Sequence, residues 1–318
     1  MDDLATLERA AALVHRHMPP TLQHAWPLLG ERAGAHVWVK HENHTPTGAF
    51  KLRGGLVYVD ALHREQPKVA GIVCATRGNH GQSVAFAARL HGLSAVIVVP
   101  HGNSVEKNRA MRALGAELIE HGHDFIAART HAEEVSETRG LHMMPSYDPL
   151  LVRGVATYGL EFFRTAPDLD TVYVPIGLGS GISGTITARD ALGLKTKIVG
   201  VVAEQAAAYS LSFAAGKPVA TNSADTLADG VAVRVPDSAA LAVILKGCER
   251  VVTVSEGEIK AAMRAYFADT HNVAEGAGAV PLAALLQERE KMAGKTVGLI
   301  LTGGNVDTDV YQGVLAAA

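Results

Sequence analysis

"HTPTGAFKLRGG", residues 44–55, is the stretch on which the reading of this chain turns. A turn of small residues delivers a Phe-Lys pair to what the pattern predicts is a helix start. Gly54 and Gly55 then sit inside that helix, each at a cost of about 1 kcal/mol against alanine. A lysine at a helix N-terminus lies at the positive end of the dipole, and partial burial further disfavours its charged form. Both effects lower its pKa and free the amine of Lys51 as a nucleophile toward a carbonyl. The ordinary alternative is a surface lysine ahead of a poorly formed helix. The flanking "TPTG" and "RGG" argue against it, because glycines inside a helix mark a place that something else approaches closely.

Outward from this stretch the chain alternates. Short apolar runs, "HVWVK", "AGIVCAT", "AVIVVP", "TVYVPIG", "KIVGVVA" and "TVGLILTG", are each followed by a longer alanine-rich stretch. That is the pattern of parallel sheets covered by helices on both faces. Strands beginning near Ala70, Ala95, Glu117 and Leu141, with helices near 82–89, 105–114 and 127–139, make one compact unit. The expected organisation is α/β, with two three-layer domains of mostly parallel sheet: a large one from 1–63 and 147–318, and a small mobile one from 64–146. The chain crosses between them twice, which leaves a cleft.

With 318 residues and 48% hydrophobic content, the chain can build a real core in each domain. A net charge of -3 without a dense Lys/Arg block leaves no footprint for nucleic acid or an anionic membrane surface. No apolar run approaches the roughly 20 residues of a membrane span, and "MDDLATLERA" has no secretory apolar core. Cys74 and Cys248 are far apart and in no metal-like spacing. The expectation is a cytoplasmic protein acting on small molecules.

Three further stretches sit where strand, turn and helix meet, the place at which open parallel sheets bind ligands. In "VPIGLGSGISG", 174–184, backbone N–H groups without bulky side chains form a cup for a phosphate at a helix N-terminus. A dinucleotide site looks similar, and Glu204 after "KIVGVVA" stands where its acidic residue would be. In "ATRGNHGQS", 75–83, the N–H groups of Thr76, Arg77 and Gly78 are candidates to hold a carboxylate, with Asn79 donating to a ligand oxygen. His80 reads as structural. In "LTGGNVD", 301–307, the hydroxyl of Thr302 ends a strand ahead of two glycines.

Taken together, these residues resemble the pyridoxal-phosphate enzymes of fold type II, the tryptophan synthase β-like fold, and within it the serine/threonine dehydratase and serine racemase branch. The resemblance runs from about Pro20 to the end of the chain. It implies pyridoxal 5'-phosphate as cofactor, with Lys51 as the residue that attaches it and as the catalytic base, and Phe50 beside its ring. It also implies a phosphate held by Gly177, Leu178, Gly179, Ser180 and Gly181, Asn79 on the ring's phenolic oxygen, and Thr302 facing the pyridine nitrogen. Thr76, Arg77, Gly78, Asn79, His80 and Glu275 then surround an amino-acid substrate. The implied reaction is β-elimination from a 3-hydroxy amino acid such as L-threonine, L-serine, phenylserine or hydroxyaspartate, giving a 2-oxo acid and ammonia. A homodimer is the implied assembly.

Departures from the branch pattern shape this expectation. Ala49 replaces the usual serine, and the loop reads "GLGSG" rather than four glycines. Arg77 occupies the place where racemases of this branch carry a serine, and an arginine is effectively always protonated, so racemisation is not expected as the main activity. Glu204 matches one ligand of the family's divalent-cation site, but Tyr209 and Ser210 stand where the second would be, so no metal is expected. His15 with His17, and His121 with His123, read as surface histidines. A β-replacement synthase of the same fold is the first alternative, and its motif would read more like "NPTGSxKDR". A nucleotide-binding oxidoreductase is the second, and it has no need of Lys51.

Overall fold

The computed structural model describes residues 2–317. Ten strands form two sheets, numbered here β1 (Gln23–Ala25), β2 (His36–His41), β3 (Gly71–Ala75), β4 (Ser94–Val99), β5 (Glu117–Glu120), β6 (His142–Met143), β7 (Thr171–Pro175), β8 (Lys197–Ala203), β9 (Arg250–Val254) and β10 (Thr296–Leu301). The six-stranded sheet runs β1-β2-β10-β7-β8-β9 and the four-stranded sheet β5-β4-β3-β6. All pairs are parallel except β1 with β2.

Alternation along each strand assigns the two faces. In the larger sheet, Tyr173, Val199 and Leu299 pack with Val280 and Leu285 of the helix Gly276–Gln287, while Val172, Val174, Ile198 and Ile300 face Ile182 and Ile186 of the helix Ser180–Ala191. In the smaller sheet, Ile72, Cys74 and Ile97 pack on Leu52 and Leu56 of the helix Lys51–Glu65 and on Val84, whereas Val73, Val96 and Val98 meet Ala128 and Ala132 of the helix Phe125–Arg139. Strands covered on both faces explain the unbroken apolar runs of β3 and β7, every residue of which is buried.

Two strands lie outside the sequence expectation. β9 starts at a charged residue and is only half-buried along most of its length, so its apolar run is short. β1 is a three-residue, mostly polar edge strand held by antiparallel backbone pairing with β2.

The glycines of the opening stretch answer to neighbouring helices. A Cβ on Gly54 would fall 2.9 Å from Leu151 O, and one on Gly154 only 2.2 Å from Arg53 O. The helices Lys51–Glu65 and Pro149–Thr165 therefore cross with their backbones nearly touching. Gly55 meets the helix Asn79–Leu90 at Ser83 in the same way, and Ser83 Oγ donates to Lys51 O at 2.7 Å.

Beneath this crossing lies a buried charge cluster. Arg53 is fully buried and bridges Glu42 at 2.7 Å and Glu161 at 2.6 Å, and Lys40 reaches Glu161 at 2.6 Å. Two positive and two negative side chains balance, and the hydroxyls of Thr21 and Thr157 accept further guanidinium protons. Burial alone would raise the Glu161 carboxyl, but Arg53 and Lys40 outweigh it and hold the group well below the usual carboxylate range. The start of the helix that carries Lys51 is anchored in this cluster.

Candidate active site

Between the two sheets lies a cavity of about 160 Å³. Its wall contains Phe50, Lys51, Thr76, Arg77, Gly78, Asn79, His80, Gly177, Leu178, Gly179, Ser180, Gly181, Glu275 and Thr302. The structure thus brings residues from five separate stretches of sequence around one space. Glu204 is exposed on the turn Glu204–Ala206 and is not part of that wall. Of the histidine pairs, His15 bonds Glu161 at 2.8 Å, and His121 stacks on His131. Among the described residues no group of three or more His, Cys, Asp or Glu side chains is close enough to hold a metal ion.

Lys51 is the first residue of its helix, as the sequence predicts. Its amine is buried, donates to Ser180 Oγ at 3.0 Å and lies 4.9 Å from the Phe50 ring centroid. Burial pulls its pKa down to about 8. Phe50 packs edge-on against Tyr158 at 6.2 Å, and Tyr158 donates to Gly181 O at 2.7 Å, which ties the lysine turn to the glycine loop.

The loop itself is backbone. Gly179 has φ +108, where a Cβ would fall 2.5 Å from Ala240 Cβ, and a Cβ on Gly177 would fall 2.3 Å from Gly230 O. Tyr209, buried, donates to Leu178 O at 2.8 Å and holds the loop from behind. Ser180 begins the helix Ser180–Ala191, whose first-turn N–H groups have no intrahelical acceptor. This cup, the helix dipole and an amine beside it fit a phosphate-bearing aldehyde such as pyridoxal phosphate.

Opposite the cup, two of the three expected backbone donors are committed. Thr76 N donates to Val98 O at 3.0 Å, because Thr76 still follows the β3–β4 ladder, and Gly78 N donates to Thr76 Oγ1 at 2.9 Å. Arg77 is exposed at the cavity wall. His80 is buried with Nε2 lacking a partner, and burial followed by the nearby Lys51 charge pulls it down to about 3, so it stays neutral.

Three members of the wall and its support were not singled out from sequence. Lys107, nearly buried, bridges Asp229 at 2.6 Å and contacts Glu275 at 3.3 Å without hydrogen-bond alignment, so Glu275 Oε2 has no hydrogen bond. Burial would lower Lys107, but the two carboxylates more than reverse this and raise it; burial in turn raises Glu275 against the pull of Lys107. Asn305, inside "LTGGNVD", donates to Asn79 Oδ1 at 2.9 Å. Lys107 was marked only by its place three residues after Ser104 at a helix start, and Asp229 by nothing local.

Comparisons with known proteins agree with this geometry. The family model described as pyridoxal-phosphate dependent enzyme matches residues 15–303. An L-threonine ammonia-lyase of Geobacter sulfurreducens is 37% identical over 323 aligned positions, covering 99% of this chain and 77% of that one. Among solved structures, the processed form of threonine deaminase isoform 2 from Solanum lycopersicum superposes with a TM-score of 0.90 at 31% identity, covering 100% and 94% of the two chains. Maize serine racemase superposes with a TM-score of 0.91 at 27% identity, covering 99% and 97%.

Proposed function

The chain belongs to the pyridoxal-phosphate-dependent enzymes, and from that premise we propose that it is an ammonia-lyase acting on a 3-hydroxy amino acid of the threonine or serine type, releasing a 2-oxo acid and ammonia. The observation that carries this reading is the buried Lys51 amine, brought to about 8 and set beside Ser180 and the glycine loop in one cavity. Bound pyridoxal phosphate supplies an electron sink for the pair left when a proton leaves the substrate's α-carbon.

The chain's own residues do the rest. Lys51 would hold the cofactor through its amine and, when that amine is free, would receive the substrate's α-proton on Nζ. The loop 177–181 and the N-terminus of the helix Ser180–Ala191 hold the phosphate. Asn79 would donate to the cofactor's ring oxygen, and Thr302 would meet the ring nitrogen with a hydroxyl. A hydroxyl, unlike a carboxylate, would not hold a proton on that nitrogen, which would favour loss of a β-leaving group over transamination. Arg77, His80 and the remaining N–H groups of the turn bind the substrate's carboxylate. Racemisation needs a second group that can exchange a proton on the opposite face, and Arg77, always protonated, is a poor one.

The same reading makes residues 64–146 a small mobile domain against 1–63 and 147–318, and makes the protein a cytoplasmic homodimer. Light scattering of the purified enzyme at the mass of two chains is the expected result.

The test of the chemistry is an absorption spectrum before and after borohydride reduction, with peptide mapping, followed by L-threonine, L-serine and phenylserine in turn. A visible band fixed by reduction onto Lys51, with 2-oxo acid released from one substrate, is expected. A protein that gains no such band when pyridoxal phosphate is supplied, or that inverts the α-carbon without releasing ammonia, refutes the proposal.

A further inference from the structure

Asn305 does not line the cavity, yet its side chain touches two of the motifs that do. Its amide nitrogen donates to Thr47 O at 2.8 Å and to Asn79 Oδ1 at 2.9 Å. Thr47 O is a backbone carbonyl and can only accept, so the nitrogen end of Asn305 is defined by it. Asn79 must therefore turn its oxygen toward Asn305. At its other end Asn79 Nδ2 donates to Glu275 Oε1 at 2.7 Å. Turning the Asn79 amide over would set NH2 against NH2 on one side and carbonyl against carboxylate on the other. Both hydrogen bonds would become repulsions, so the network admits one orientation.

The lysine turn is shaped to receive this contact. Gly48, between Thr47 and Lys51, has φ +67, and a Cβ there would fall 2.5 Å from Asn305 Oδ1. Asn305 thus lies against the turn that presents Lys51 and against Asn79, the first residue of the helix Asn79–Leu90.

We propose that Asn305 is a positioning residue: it fixes the polarity of the Asn79 amide, so that the Asn79 N–H not spent on Glu275 is the group offered to the cofactor ring. The inference rests on the reading above that Asn79 faces the ring oxygen. Without Asn305 only the Glu275 contact would orient the Asn79 amide, and a turned amide would offer its carbonyl to an oxygen that needs a donor.

The experiment compares Asn79→Ala, Asn305→Ala and Asn305→Asp with the wild-type holoenzyme. The readouts are the position and pH titration of the visible cofactor band and the dissociation constant for pyridoxal phosphate, with thermal unfolding of the cofactor-free proteins measured beside them. Aspartate cannot donate to Thr47 O and draws the Asn79 NH2 toward itself, presenting the wrong end of Asn79 to the ring. Asn305→Asp is expected to shift the band as Asn79→Ala does and to weaken cofactor binding by roughly tenfold, with Asn305→Ala shifted in the same direction by less. A wild-type band in the Asn305 variants, with Asn79→Ala shifted, overturns the inference alone. A wild-type band and affinity in Asn79→Ala sinks the placement of Asn79 on which it rests. If Asn305→Asp does not fold, the band of Asn305→Ala decides.

Discussion

At the scale of single residues the decisive feature is where charge is allowed to sit. Lys51 is an amine enclosed by the cavity with no carboxylate partner, so burial shifts it down to about 8, whereas Lys107, also buried, is held charged by Asp229 and Glu275. The two lysines of one cavity are therefore set for opposite tasks, one to react and one to stay an ion. Only the neutral form of Lys51 attacks an aldehyde, and the fraction neutral rises with pH, passes one half at its pKa and then saturates. The rate at which cofactor-free protein takes up pyridoxal phosphate is expected to climb about tenfold per pH unit below 8 and to level off above it, read by stopped-flow absorbance. A plateau only above pH 10 would mean an ordinary exposed lysine. Arg53 illustrates the opposite case. Replacing it with alanine strands Glu42 as a buried carboxylate without a cation and leaves Glu161 with Lys40 and His15 alone, and a loss of about 3–5 kcal/mol in urea unfolding is expected. Arg53→Lys keeps the charge but not the fork that meets both carboxylates, and should fall between.

At the scale of elements, glycine marks where helices cross. Gly154→Ala forces a methyl to within 2.2 Å of the Arg53 carbonyl, whereas on Gly313, in the helix Thr308–Ala316, it would meet nothing within 4 Å. The first substitution is expected to destabilise by about 1–3 kcal/mol as an overpacked contact, and the second to stabilise by roughly 0.5–1 kcal/mol as a helix-propensity gain; thermal melts of the two variants separate the effects. This contrast also shows what is legible in sequence. The lysine turn, the glycine loop and the strand ends are contiguous, and their chemistry follows from a few adjacent residues. Arg53 reads there only as a letter two positions after the lysine, because Glu161 lies 108 positions away and the pairing exists only once the helices have crossed. Asn305 and Asn79 are 226 positions apart. β9 escapes because a half-buried edge strand needs no continuous apolar run, and β1 because its pairing is made by the backbone.

At the scale of the molecule the cavity is closed by polar contacts between the four-stranded unit and the rest, and two of them are reciprocal. The carboxylate of Asp307, just ahead of the helix Thr308–Ala316, accepts from Ser104 Oγ and from the N–H groups of Val105 and Glu106, at the start of the helix Val105–Ala113. Glu106 in return accepts from Thr308 N at 3.0 Å, at the start of the other helix. Each helix N-terminus is capped by an acid from across the cleft, and each cap satisfies donors that would otherwise face water. A cap of this kind is worth about 0.5–2 kcal/mol, small enough to be made and broken if the four-stranded unit moves against the rest. Asp307→Ala removes the larger share of this exchange while leaving the cavity wall untouched. If residues 64–146 move as a unit, the variant should show faster hydrogen exchange in the first turn of Val105–Ala113, a KM raised by roughly twofold to thirtyfold as the closed population falls, and an unchanged cofactor spectrum. Restoring the charge with Asp307→Glu should recover part of the KM. Wild-type exchange and KM in Asp307→Ala would mean that the two units do not part during turnover, and that the reciprocal caps serve stability alone.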